Sequence, residues 1–156
     1  MTLYLVRHAH AGRRSEWADA DAERPLSEKG RHQSEALTRH LADATIDRVL
    51  SSPAVRCRQT VEGMARERTL EIEGHTALLE GATPRSATTL LSELATEGRH
   101  VVLSSHGDVI PGALQALRSD GLEVDDRHGL PKGTLYRLEV DDEGHMTTAT
   151  FVDPRP

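Results

Sequence analysis

The sequence predicts an α/β fold, a single-domain three-layer αβα sandwich on a mainly parallel sheet with an antiparallel edge. Three observations predict it. Two short, wholly apolar runs, LYLV at 3–6 and VVL at 101–103, are each followed at once by polar residues, the mark of strands buried on both faces. Between and after them the apolar residues recur at helical spacing. Near the C-terminus two strand-like segments, TLYRLEV and TTATFV, flank DDEGHM, where Gly144 supplies turn chemistry.

In chain order, the strand at 3–6 is followed by a helix over 27–41, a short strand over 48–51, and a helix over 54–68 with Cys57, Val61 and Met64 on one side. A further helix carries Ala87, Leu90, Leu91 and Leu94 on one stripe. The strand begun by VVL ends at Ser105. The next helix begins near Asp108, with Ile110, Ala113, Leu114 and Leu117 as its apolar face, so Pro111 falls in the first turn, where its missing N–H costs nothing. The terminal hairpin supplies the antiparallel edge.

With 156 residues, no Ser/Gly/Pro-rich linker and no block of like charge, residues 1–156 are expected to form one domain. No apolar run approaches the length that spans a bilayer. The N-terminus enters a strand-like segment at once, so no export leader is expected. One cysteine cannot close an internal disulfide, and the expected location is the cytoplasm. The formal charge of -6 argues against binding to nucleic acid or an anionic membrane, both of which need a basic face. Any anion must be recognised locally.

Ligands of such sheets collect at the carboxyl ends of the strands. Three polar clusters are expected there: Arg7-His8-Ala9-His10, Ser51-Ser52-Pro53 leading to Arg56, and Ser104-Ser105-His106-Gly107. Alone, each has an ordinary explanation as a cap, a surface charge or a strand end. Jointly, they offer two arginines and two histidines to one anion, with Gly107 allowing close backbone approach.

The same segments carry a resemblance. LYLVRHAHAG resembles the N-terminal signature of the histidine phosphatase (phosphoglycerate mutase-like) superfamily, usually written RHG, with Ala9 in place of the third residue. ERPLSEKGRHQSEAL resembles the family's PLS-x-x-G-x-x-Q helix entry, DRVLSSPAVRCRQT its SSP-x-x-R-x-x-Q-T segment, and VVLSSHGDVI its strand-histidine-helix segment. The nearest likeness is to short bacterial SixA-type phosphohistidine phosphatases and to domains that accompany some Nudix hydrolases, the latter extending through GLPKGTLYRLEV.

The resemblance implies a phosphoglycerate mutase-like fold and a metal-independent, cofactor-free phosphatase with His8 as nucleophile. It makes Arg7, Arg56 and His106, with Gly107, the groups that bind the phosphoryl. Imidazole attacks only when deprotonated, and neighbouring guanidinium groups favour that form. A leaving alkoxide also needs a proton, for which Glu80 in ALLEGATP is the candidate and Asp108, a helix N-cap by position, the reserve. The expected substrate is a phosphohistidine-bearing protein or, alternatively, a phosphorylated small molecule or nucleotide. An imidazole leaving group would lean less on an acid.

Other polar residues have quieter expectations. His10 is peripheral to the phosphate loop, Arg13 and Arg14 could steer an anion, and Trp17 sits in a surface loop near the site. Ser105 either reaches the pocket or only ends its strand, and Lys132 and Gly133 form a turn. The rival class is a metal-dependent hydrolase using His8 and His10 as an H-x-H pair, though barrels of that kind usually need about 250 residues. A cysteine phosphatase is excluded because Gly63 occupies the position where its C-x₅-R loop needs arginine. A noncatalytic phosphate-binding domain is the third reading.

Overall fold

The computed structural model describes residues 1–156. Seven strands form one sheet in the order β3-β2-β4-β1-β6-β7-β5, from β1 (Thr2–Arg7), β2 (Arg48–Ser51), β3 (Ile72–Gly74), β4 (Val101–Ser105), β5 (Glu123–Val124), β6 (Leu135–Val140) and β7 (Met146–Val152). The sheet is mainly parallel, as expected. On the C-terminal side β6 runs antiparallel to both β1 and β7. The short strands β3 and β5 carry no apolar run and escape a reading of periodicity.

Side chains alternate between the faces of the sheet because the strand period is two. Leu3, Leu5, Leu50, Val101 and Leu103 join the core under α3 (Pro84–Ala95) and α4 (Val109–Ser119). Tyr4, Val6, Val49 and Val102 join the core under α1 (Glu28–His40) and α2 (Val55–Glu67). Neighbouring strands β1 and β4 are therefore buried on both faces, which is why their sequences are continuously apolar. The four helices follow the expected segments closely, and each predicted stripe is buried. No helix is long and apolar enough to cross a membrane.

The topology also fixes where a ligand can sit. After β1 the chain leads to α1 on one face; after β4 it leads to α4 on the other. These strands are adjacent and parallel, with Arg7 level with Ser105. Their loops part in opposite directions at the carboxyl ends and open a crevice, the switch point where ligands of open α/β sheets bind.

Candidate active site

All three polar clusters end in this crevice. The His8 N–H donates to the Ser105 carbonyl (3.0 Å) and the Ser52 N–H to the Ser104 carbonyl (2.8 Å), so the ladder extends past the strand ends and sets the loops in register. Ser27 caps α1 by accepting from the Gly30 N–H (3.1 Å). Gly30 must be glycine, because a Cβ there would lie 1.9 Å from the His10 carbonyl oxygen. Gln33 accepts from the His10 N–H, Thr60 Oγ1 from the Ala9 N–H, and Gln59 from the Leu26 N–H. The polar residues of the helix-entry segments thus buttress the loop that bears His8.

His8, Arg56 and His106 are almost fully buried, at 6%, 1% and 2% exposure. The two imidazoles meet edge to face with centroids 5.4 Å apart. His8 Nδ1 faces the Ala9 carbonyl at 2.8 Å. A carbonyl can only accept, so Nδ1 carries the proton and Nε2 keeps its lone pair. Burial, aided by Arg56, His106 and Arg7, pushes His8 down to about 3, against the opposing pull of the Ala9 carbonyl. Burial likewise, with Arg56, pushes His106 down to about 4. Dehydration therefore outweighs the guanidinium charges that the sequence reading put first.

Arg56, in the first turn of α2, directs Nη2 to within 3.5 Å of His106 Nδ1, 3.2 Å of the Asp21 carboxylate and 3.8 Å of Glu80. Arg7 packs against Gly107, where an added Cβ would stand 2.6 Å from Arg7 Cζ, and its Nη1 donates to the Leu130 carbonyl (2.8 Å). The Nε atoms of both arginines are buried without a partner. His106 Nε2 lies 2.9 Å from Ser52 Oγ. The expected convergence of Arg7, His8, Arg56, His106 and Gly107 is present.

Glu80 lies at the mouth, 47% exposed, and both of its carboxylate oxygens accept from Nη2 of Arg14 (3.0 and 2.9 Å). Arg14 also pairs with Asp21, which in turn holds Arg24 and Arg56. Arg24 donates to the Ala11 carbonyl and so shapes the loop that follows β1. Asp21 and Arg24 were missed by sequence reasoning: an acid in a loop and an arginine before proline carry no periodic signal. Asp108 stands at the N-cap position but does not cap. Its Oδ2 accepts from the Gly81 N–H (2.8 Å), tying the Glu80 loop to α4.

The remaining expectations resolve as follows. Ser105 Oγ donates to the Leu78 carbonyl and so braces the same loop instead of lining the pocket. His10 Nδ1 meets Ser27 Oγ at 2.7 Å, whereas His8 Nδ1 meets the Ala9 carbonyl. The one convergent set of three metal-type donors, Asp141, Glu143 and His145, is exposed in the β6–β7 turn. Cys57 is fully buried and pushed up to about 12 by burial, which makes it a core residue. A cavity of about 450 Å³ lies between α4 and the segment before β6, with Leu130 on its wall.

The sequence profile of the histidine phosphatase superfamily (branch 1) matches residues 3–85, which include Arg7, His8, Arg56 and Glu80. The chain belongs to that superfamily. An 8-oxo-(d)GTP phosphatase of Mycolicibacterium smegmatis is 32% identical over 98% of this chain; the chain spans about half (48%) of that relative's length. The protein histidine phosphatase SixA, solved with tungstate, shares the fold at a TM-score of 0.75, with 24% identity over 99% of this chain and 97% of its own. A protein of Agrobacterium tumefaciens, provisionally named phosphohistidine phosphatase SixA, gives 0.73 and 27% over 88% of this chain and 90% of its own. The superfamily's named members here are phosphatases, hence hydrolases.

Proposed function

We propose that this chain is a phosphatase that passes the phosphoryl group through a covalent intermediate on His8 Nε2. The observation that carries the reading is the convergence of a neutral, Nδ1-protonated His8 with Arg56, Arg7 and His106 in one buried crevice. Arg7 and Arg56 bind the equatorial phosphoryl oxygens, where their forked, permanent charge stabilises the in-line transition state. His106, neutral as well, contributes hydrogen bonding and not charge.

The lone pair of His8 Nε2 attacks phosphorus, the P–N bond forms and the P–O bond to the leaving group breaks. The ring becomes positive, and the Ala9 carbonyl on Nδ1–H stabilises it. Glu80, a carboxylate paired with Arg14 in the resting enzyme, takes up a proton from water and gives it to the leaving oxygen. Water then attacks the phosphorus, Glu80 takes back a proton, and the P–N bond breaks to release phosphate.

The presence of a carboxyl group at the mouth favours a phosphate ester or anhydride of a small molecule, whose leaving oxygen needs a proton. The 32% identity to a nucleotide phosphatase supports the same reading. A phosphohistidine protein is the second reading, supported by the 27% identity to a SixA-named protein and by the exposure of the mouth. Rapid, acid-free quenching with a panel of phosphodonors is expected to trap phosphate on wild-type enzyme and none on His8→Ala. Undiminished turnover by His8→Ala, or activity abolished by a chelator and restored by a metal ion, would defeat the proposal.

A further inference from the structure

Lys132 is the unusual cation of this molecule. It is partly buried, and the charged groups that act on it are Arg7, Arg24 and Arg56, every one of them positive. The nearby carboxylates are committed elsewhere: Asp21 to Arg14, Arg24 and Arg56, and Glu80 to Arg14 and Arg56. Burial and these neighbours pull the lysine below its ordinary range. A half-buried ammonium among guanidinium groups costs stability unless an anion joins it.

Its backbone is not free to carry it away. The Gly133 N–H donates to the carbonyls of Arg7 and His8 (both 3.2 Å), Arg7 Nη1 donates to the Leu130 carbonyl, and the Thr134 N–H closes the turn on the Pro131 carbonyl (3.1 Å). Residues 130–133 are thus stitched to the chain on either side of the nucleophile. Lys132 also heads the charges acting on His10. The turn that carries it lies against the Arg7–His8 backbone.

We propose that Lys132, held beside Arg7 by the stitched 130–133 turn, binds a second anionic group of the substrate, so that the preferred substrates carry two linked phosphates, as in a nucleoside diphosphate. This rests on the reading of His8, Arg7 and Arg56 as the seat of the transferred phosphoryl. That seat already offers two guanidinium forks and an imidazole to three equatorial oxygens. Lys132 reaches the neighbouring phosphate, as a compact point charge suits.

The test is direct binding by calorimetry of methylphosphonate and of methylenediphosphonate, which cannot be hydrolysed, to the full chain. Wild type is expected to bind the diphosphonate at least about tenfold more tightly, and Lys132→Met to lose that preference while its methylphosphonate affinity falls no more than about twofold. Lys132→Arg, which keeps the charge, retains most of the preference and guards against a folding defect. Equal weakening of both ligands by Lys132→Met would place the lysine on the transferred phosphoryl and overturn the inference, as would no weakening of either. Because binding is read without turnover, failure here is distinct from failure to trap phospho-His8.

Discussion

The floor and the mouth of the crevice are built on opposite plans. On the floor, His8, Arg56 and His106 are sealed in, their loops extend the sheet ladder, and two guanidinium Nε atoms are buried without partners. At the mouth, Arg14, Asp21 and Glu80 are partly exposed and sit on short 3-10 turns and loops, joined by ion pairs that water can screen. The contrast teaches a division of labour. The floor holds charge in a dehydrated place at some cost in stability, which gives strong, fixed electrostatics. The mouth can adjust to leaving groups without disturbing the fold.

The sharpest way to break this comparison is to remove a floor cation without leaving a hole. Arg56→Met is expected to lower kcat by about 10³-fold. Its melting temperature should change little, since Asp21, the partner left behind, is part exposed and keeps Arg14 and Arg24. A collapse of the fold in a melting scan would show that Arg56 is structural. At the mouth, Glu80→Gln should slow ester hydrolysis by about 10²-fold but phosphohistidine hydrolysis far less, with stability changed by under about 0.5 kcal/mol. Rates equal to wild type on both substrates would remove Glu80 from the chemistry.

Gly107→Ala tests how finely the floor is set. The new Cβ would stand 2.6 Å from Arg7 Cζ, so the guanidinium must shift, and a displacement near 1 Å costs up to about 10²-fold in turnover. A crystal structure with Arg7 unmoved, or unchanged kinetics, would contradict this. The smallest effect is on pH. His8 and His106 sit near 3 and 4 when folded, against an ordinary 6.5, so the unfolded chain binds their protons first as the solution is acidified. The stability they contribute is complete above about pH 6.5 and is lost as pH falls through about 4 for His106 and about 3 for His8. Melting is expected to drop by about 10 °C between pH 7 and 4.5, and by less in His8→Asn. Ring signals of both histidines that titrate near 6.5 by NMR would refute the depressed values.

The sequence carried the parallel core and the floor plainly. LYLV and VVL are legible because strands covered on both faces need apolar side chains at every position, and the helix stripes because one face of each helix is buried. Jointly, the polar clusters after those strands and their resemblance to the superfamily's signatures marked the floor, since ligands of open α/β sheets collect at the carboxyl ends of the strands. What stayed hidden depends on partners distant in the chain. Asp21 resembles any acid in an acidic loop until Arg56 and Arg14 fold against it. Lys132 reads as a turn residue until the fold brings it under the influence of Arg7, Arg24 and Arg56. Asp108 occupies an N-cap position by sequence, yet its side chain prefers the Gly81 N–H on another loop.

By itself, then, the chain determined the order of its four helices and its five longer strands, the face each one buries, and which side chains stand where those strands end, because these follow from local periodicity and the avoidance of water by apolar groups. Only the tertiary structure decided which of those side chains meet, how dry their meeting place is, and which charges are left facing one another. Those are properties of distance and dielectric, which arise once the β1 and β4 loops part and the crevice closes around His8.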